Sequence, residues 1–182
     1  TPAEIALCAE RGVSVVHCPQ SNMKLASGFC PADALLKAGV NLAIGTDGCA
    51  SNNDLDMFDE LRTAALLAKA VAQDATAFKA FSALHSATLA GARAMGLEDR
   101  IGSLEAGKQA DIIAVDLSQL ETLPIYDVIS QLVYAGSRQQ VSDVWIAGRI
   151  KMQGRQLVDI DIQKVQATAR RWQHTIKRIQ SP

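Results

Sequence analysis

One acidic residue stands where a metal ligand or a proton-transferring group could lie. Asp47 closely follows an apolar run at residues 40–45. That run is typical of a buried strand, and polar groups at the carboxyl ends of parallel barrel strands face the active-site mouth. The same position would also suit an acid that caps the following helix or stabilises a turn beside Gly48. From the pattern alone, both interpretations of Asp47 stay open.

A histidine has the corresponding place after the preceding apolar run. His17 lies near the end of residues 13–18, so its side chain and that of Asp47 could approach one another across a barrel mouth. Histidine is the commonest metal ligand and a proton carrier near neutral pH. An isolated histidine of this kind is nevertheless more often a hydrogen-bonded wall residue. His85 and His174 are expected to be structural and to face solvent.

Two short polar stretches could contact a substrate. Ser21 and Asn22 follow the first apolar run, and a second serine- and asparagine-rich stretch occupies residues 51–53. Such side chains bind polar ligands, but they also satisfy their own backbone turns, which is the ordinary role of a single asparagine.

The chain has none of the common phosphate-binding or nucleophile motifs. The patterns G-x-x-x-x-G-K-[ST], G-x-G-x-x-G and G-x-S-x-G are all absent from the sequence. Hydrolysis would therefore need an activated water, and hence a metal ion. One carboxylate and one histidine do not suffice, because catalytic zinc takes about three protein ligands or more.

Composition excludes several classes of partner. The 182 residues are 48% hydrophobic and carry 18 basic and 19 acidic side chains without a block of like charge. This balance argues against a nucleic-acid groove or a polybasic membrane anchor. The longest apolar runs fall far short of the roughly 20 residues that span a bilayer.

The four cysteines form no C-x-x-C pair and suggest reduced thiols in a cytoplasmic protein: Cys8, Cys18, Cys30 and Cys49.

The first half of the chain alternates strands and helices. Thr1 and Glu4 predict a capping box for an initial helix. A polar loop is expected at residues 20–31, then a short helix that Gly39 ends. The two apolar runs begin 27 residues apart, which fits a strand, a crossover helix and a parallel strand. Helical spacing of apolar residues then predicts a longer helix containing Leu61, and two further helices.

The second half has a different pattern. Short runs punctuated by glycine predict a small antiparallel sheet beside the first unit, with strands at residues 112–115, 141–147 and 150–153. From Asp161 onward, apolar residues three and four apart predict a helix with a narrow apolar seam. That seam is expected to dock on the domain itself, the alternative being a subunit interface.

Three stretches taken together resemble a known enzyme family. Residues 17–28 (HCPQSNMKLASG), 45–57 (GTDGCASNNDLDM) and 102–111 (GSLEAGKQAD) are similar to the 5-methylthioadenosine/S-adenosylhomocysteine deaminases of the amidohydrolase superfamily. The likeness covers nearly the whole chain. The asparagine-rich second stretch favours these deaminases among the members of the superfamily.

The resemblance implies an α/β fold, namely the C-terminal part of a distorted TIM (β/α)8 barrel with a small β-sandwich segment and a C-terminal helix. The two apolar runs would be its seventh and eighth strands. Residues 1–100 would form the last βα units of the barrel, residues 101–160 a β-rich segment of a composite sandwich, and residues 161–182 the terminal helix.

The resemblance also assigns roles to residues. Asp47 would ligate a zinc ion, contact the substrate and act in catalysis by moving a proton from the attacking water to the leaving nitrogen. From their positions after the first apolar run, rather than from the resemblance, His17 and Asn22 are predicted to be further substrate-binding residues. The family's remaining metal ligands would all precede Thr1, so the chain is expected to be a segment that is inactive without an N-terminal barrel half.

The implied activity is zinc-dependent hydrolytic deamination of 5'-methylthioadenosine or S-adenosylhomocysteine to an inosine-type product and ammonia. The expected partners are a purine nucleoside and the upstream barrel half, with a homo-oligomer left open and neither nucleic acid nor membrane. One alternative is another amidohydrolase, such as an 8-oxoguanine deaminase or an s-triazine hydrolase. Another is a non-catalytic α/β partner domain.

Overall fold

The computed structural model describes residues 1–180, so the last two positions of the predicted terminal segment lie outside the described residues. Helices and strands alternate in the first half, and most strands lie in the second. The helices are α1 (Pro2–Glu10), α2 (Pro19–Lys24), α3 (Ala32–Lys37), α4 (Met57–Ala72), α5 (Ala80–Ser86), α6 (Leu89–Ala94), α7 (Val128–Tyr134) and α8 (Ile162–Gln180). The strands are β1 (Ser14–His17), β2 (Asn41–Ile44), β3 (Ile112–Val115), β4 (Val141–Ile146), β5 (Arg149–Gln153) and β6 (Gln156–Leu157).

The two strands of the first half form the predicted parallel pair. Ser14 lies opposite Asn41 and His17 opposite Ile44. Within residues 1–180, β1 and β2 pair only with each other, so this part of the chain forms no closed barrel. The prediction that both strands are buried holds for β2 but is wrong for part of β1, because Val16 is 56% exposed. No further strand of the described chain lies beside it.

Helices pack over β2 and create the main core. The chief source of core side chains is α4, which begins after the N-cap Asp56 and carries a buried stripe of small and branched side chains. Leu42 of β2 is only 1% exposed. The core side chains are Ala32, Leu35, Val40, Leu42, Ile44, Leu61, Ala64, Ala65, Ala68, Phe78, Ala83 and Val133.

The helix starts follow local capping chemistry. The predicted capping box is present, since the Glu4 backbone N–H donates to the Thr1 hydroxyl at 3.4 Å and the Glu4 carboxylate reaches back to Thr1. The prediction of a loop from residue 20 is wrong over its first turn, where α2 forms. Pro19 suits the first position of a helix because that position needs no backbone donor. The Asn22 backbone N–H then donates to the Cys18 carbonyl at 3.0 Å.

The second half contains the predicted antiparallel sheet, in the order β3-β4-β5-β6. The turn between β4 and β5 uses Ala147 and Gly148, both with positive φ, as two-residue hairpins require. Sequence reasoning missed α7, which begins after Asp127 as N-cap and buries Val133 completely. Its seven residues are too few for helical periodicity to stand out.

The C-terminal helix forms as predicted, but its apolar seam does not dock on the described residues. Val165, Trp172 and Ile176 of its apolar seam are 56%, 58% and 48% exposed. The described part of the chain provides no surface that covers them. None of the helices in residues 1–180 is both long enough and apolar enough to cross a membrane. All four cysteines are free, in agreement with the prediction.

Candidate functional site

The parallel pairing brings the carboxyl ends of β1 and β2 together. The Gly45 backbone N–H donates to the His17 carbonyl at 3.0 Å and extends the ladder by one bond. A Cβ added to Gly45 would lie 3.1 Å from Val16 Cγ1 and 3.4 Å from Cys18 Sγ. Glycine at this position therefore lets the loop after β2 lie directly against the end of β1.

Asp47 lies at this edge with an exposed side chain and a left-handed backbone, φ +60°. Its Oδ2 accepts hydrogen bonds from Ser21 Oγ at 2.8 Å and Ser51 Oγ at 2.6 Å. The interpretation of Asp47 as the cap of the following helix is wrong, because Asp56 caps α4. Aspartate is among the non-glycine residues that adopt this conformation most readily.

The electrostatics around Asp47 favour the ionised carboxylate. The hydroxyl of Ser51, then that of Ser21 and the backbone N–H of Gly48, hold the pKa of Asp47 below its usual value. Hydrogen bonds to a carboxylate stabilise the charged form. The charge is available at neutral pH, and both serines bind Oδ2, so Oδ1 is free of these two hydroxyls. This chemistry fits a metal ligand, although one carboxylate alone does not hold zinc.

His17 is buried at the end of β1, 2% exposed. Its Nδ1 has no hydrogen-bond partner among the described residues, so it does not match the hydrogen-bonded wall residue of the sequence interpretation. Burial lowers the pKa of His17, which favours the neutral imidazole. A buried polar atom without a partner calls for an explanation, such as a ligand. The substrate-binding role of His17 stays a prediction. His85 is half-buried on α5, and His174 is exposed on α8.

Asn22 lies partly buried on α2, one residue beyond the serine that binds Asp47. Its backbone carbonyl accepts a bond from the Ser27 N–H at 2.8 Å, which closes the end of the helix. Its predicted contact with substrate stays a prediction. Ser21 and Ser51, which donate to Asp47, are the residues that the structure adds to the site. The signal for them in the sequence was only their presence in polar loops after neighbouring strands.

Sequence reasoning also missed a buried acid beneath these loops. Glu60 of α4 is fully buried, and its Oε2 accepts a hydrogen bond from the Gln20 backbone N–H at 3.3 Å. The side-chain amide of Asn52 donates to Oε1. The available signal was the position of Glu60 one turn before Ala64, on the helix face that forms the core.

Burial raises the pKa of Glu60 to about 7, and the negative charge of Asp54 adds to the rise. The hydrogen bonds from Gln20 and Asn52 act in the opposite direction. Near neutral pH, the carboxyl group is therefore close to its midpoint of ionisation, whereas an ordinary glutamate is fully charged.

Further contacts join the two loops at the surface. Lys24 Nζ donates to the Ala50 carbonyl at 2.8 Å and to Asn53 Oδ1 at 2.6 Å. The cleft between the loops has a volume of about 230 Å³. Small-molecule sites usually enclose about 300–1,000 Å³, so this cleft is smaller than a typical binding site.

A cluster of three acidic side chains lies nearby, but helix capping and ion pairs account for two of its members. The carboxylates of Asp54, Asp56 and Asp59 lie within 4.8 Å of one another. Asp56 caps α4 and pairs with Arg138 at 3.5 Å, while Asp59 pairs with Arg62. Acidic residues in the first turn of a helix are also stabilised by the helix dipole.

The raised pKa of Glu60 predicts how stability depends on pH. Its pKa in the fold, about 7, lies above the ordinary 4.5, so the folded state keeps a proton that the unfolded state has lost. The stability from this proton is complete at acidic pH and is lost as the pH rises through 7. Between about pH 5 and 8, we expect the free energy of unfolding of the intact protein to fall by on the order of 2 kcal/mol more than that of Glu60→Gln. Urea unfolding of both proteins across this range measures the difference, and parallel pH curves would contradict the expectation.

Comparison with known proteins places the chain in a family. The model of the Amidohydrolase family matches residues 1–151. This chain belongs to the amidohydrolase family. An amidohydrolase relative, the 5-methylthioadenosine/S-adenosylhomocysteine deaminase of Teredinibacter turnerae, is 51% identical over 173 residues, which make up 95% of this chain and 39% of that protein. The resemblance seen in the three sequence stretches is thereby confirmed.

Solved amidohydrolase structures agree with the fold. An adenosine deaminase from Xanthomonas campestris with bound zinc matches 97% of this chain and 40% of its own, with 67% identity and a TM-score of 0.96. The atrazine chlorohydrolase of Arthrobacter aurescens, complexed with zinc, matches 92% of this chain and 37% of its own, with 28% identity and a TM-score of 0.84. The chain thus has the fold of an α/β amidohydrolase domain and spans about two fifths of the length of these relatives.

Proposed function

We propose that this amidohydrolase chain forms part of a zinc-dependent deaminase. Its reaction is the hydrolysis of the 6-amino group of 5'-methylthioadenosine or S-adenosylhomocysteine, which yields an inosine-type product and ammonia. The observation that carries the proposal is the placement of Asp47, an exposed carboxylate held ionised by two serine hydroxyls at the carboxyl end of a parallel strand. The names of the similar proteins support the choice of reaction and substrate.

The proposed architecture follows the family. Residues 1–100 supply the last βα units of a distorted TIM barrel, with β1 and β2 as the seventh and eighth strands. Residues 101–160 contribute to a composite β-sandwich, and residues 161–182 form the terminal helix. A segment upstream of Thr1 supplies the rest of the barrel and the other metal ligands. In this arrangement, Asp47 faces the barrel mouth, where active sites of such barrels lie.

Asp47 would hold the metal and carry a proton. Zinc, when bound, supplies a water that is activated near neutral pH. With the metal in place, Asp47 would accept a proton from the attacking water as the C6–O bond of the purine forms, and it would give that proton to the amino nitrogen as the C6–N bond breaks and ammonia leaves. Ser21 and Ser51 orient the carboxylate through Oδ2. His17, whose neutral form is favoured, lies at the end of β1, and Asn22 lies on α2. Both would contact the substrate from these positions.

A substrate panel on the intact protein tests this proposal. We expect ammonia release from 5'-methylthioadenosine and S-adenosylhomocysteine, with slower or no release from 8-oxoguanine and no dechlorination of atrazine. A site whose polar groups match one ring system binds other rings less well, because some of its buried polar groups then have no hydrogen-bond partner. No ammonia from either thioether nucleoside, with release from 8-oxoguanine, would overturn the substrate assignment. Atrazine turnover alone would favour the triazine hydrolase alternative, which shares this fold.

Metal analysis separates the enzyme from a non-catalytic partner domain. We expect the intact protein to contain about one zinc per chain, because a catalytic site of this type binds a single ion through about three protein ligands or more. A stable, metal-free protein without turnover would favour the partner domain.

A further inference from the structure

Glu60 joins the two segments that carry the site, namely Pro19–Lys24 (α2) after β1 and residues 48–55 after β2, which are together called the two loops. Its Oε2 accepts the Gln20 N–H at 3.3 Å, in the first turn of α2 after β1. Its Oε1 accepts the side-chain amide of Asn52, in the loop after β2. The Asn52 Oδ1 in turn accepts the Leu55 N–H at 3.0 Å, so the amide is oriented at both ends. A single carboxyl group on α4 therefore binds both loops from below.

These contacts lie next to the ones that hold Asp47. Ser21 follows Gln20, Ser51 precedes Asn52, and the two serine hydroxyls donate to Asp47 Oδ2. A shift of either loop away from α4 would move one of these hydroxyls away from the carboxylate. The positions of both serines thus depend on the same buried group.

We infer that Glu60 is a positioning residue of the active site, which holds the loops after β1 and β2 in register so that Ser21 and Ser51 orient Asp47. The inference rests on the proposed function, because Asp47 is the group whose orientation matters for the reaction. Among the described residues, the hydrogen bonds of Glu60 go to Gln20 and Asn52 and not to Asp47, so it would act on Asp47 only through these two segments.

The cost of burying Glu60 supports a positioning role. The residue is 0% exposed and lies on the face of α4 that also carries Leu61 and Ala64, both in the core. Replacing a buried ionisable group by an apolar one of similar size is often neutral or stabilising, so packing alone gives no reason for an acid here. The two N–H donors that it satisfies belong to separate loops, and an apolar side chain would leave both without a partner.

Kinetics of the intact protein test the inference. We expect Glu60→Ala to lower kcat/KM for the thioether nucleosides by roughly 10–100-fold, as typically follows loss of a supporting hydrogen bond. Most of the loss should fall on kcat, since Asp47 acts in the chemical step. Glu60→Gln retains one acceptor oxygen and should lie between Glu60→Ala and the wild type. Leu61→Ala is the matched control, because it weakens the same helix without touching the loops, and its kcat/KM below the melting temperature should stay near that of the wild type.

Hydrogen–deuterium exchange gives a second measure that does not depend on turnover. Glu60→Ala should raise exchange in both Pro19–Lys24 and residues 48–55, while Leu61→Ala should not raise exchange in both. Unchanged exchange in these loops, or a kcat/KM for Glu60→Ala equal to that of Leu61→Ala, would overturn the positioning role. If the wild type turns over no substrate while Glu60→Ala loosens both loops, the proposed function fails and the loop contact stands.

Discussion

Asp47→Asn in the intact protein is expected to lower kcat/KM by about a thousandfold or more, because the substitution removes the proposed metal ligand and the proposed proton carrier together. Asparagine is the informative replacement. It tolerates the left-handed backbone of Asp47 at φ +60° and can still accept the two serine hydroxyls. The change therefore removes the charge while it preserves the local geometry.

The measurements are steady-state kinetics with 5'-methylthioadenosine and zinc content by elemental analysis. Asp99→Asn is the matched control, since Asp99 is an exposed acid outside the site and its replacement should leave both quantities unchanged. A loss of activity with retained zinc would assign Asp47 to proton transfer and to a weaker role in metal binding. Retained activity in Asp47→Asn would remove the basis of the proposed mechanism.

The 182 residues expressed alone are expected to show no deaminase activity and to self-associate. The chain offers Asp47 at the site, whereas catalytic zinc needs about three protein ligands or more. Within residues 1–180, β1 and β2 have no other strand beside them, and Val16 is 56% exposed on β1. Unpaired strand edges and exposed apolar side chains promote association between chains.

Co-expression with the upstream segment of the same protein provides the comparison. We expect it to restore a defined complex with about one zinc and with turnover, because the barrel and its ligand set are then complete. Size-exclusion chromatography with light scattering measures the first part, and ammonia release measures the second. A monodisperse, cooperatively melting monomer of the 182 residues alone would contradict the expected self-association.

The apolar seam of α8, at the C-terminal end of the chain, is exposed as Val16 of β1 is. Periodicity correctly predicted a helix with an apolar face, because every third or fourth residue between Ile162 and Ile176 is apolar. It could not predict what covers that face. A docking partner is set by residues distant in sequence, and the described part of the chain does not contain one. The subunit-interface alternative for this helix therefore stays a prediction.

Features that depend on neighbouring residues were determined by the sequence itself. The capping box of α1 and the place of Asp47 after β2 both follow from local steric and hydrogen-bonding rules. The spacing of the two apolar runs also predicted the parallel pair of β1 and β2. The family resemblance also lies in contiguous stretches and was confirmed by comparison with known proteins. The short helix α2 was missed because Pro19 permits a helix start as readily as it ends a strand.

Only the tertiary structure decided how the site is assembled. Ser21 meets Asp47 across 26 positions, and Glu60 meets Gln20 across 40. Helical spacing places Glu60 on the same face as Ala64, but it does not show that the acid is fully buried, since that burial also depends on the segments after β1 and β2 that lie over α4. The orphaned Nδ1 of His17 is likewise visible only once the surrounding atoms are in place. Hydrogen bonds between distant segments are set by packing, and packing is a property of the folded chain as a whole.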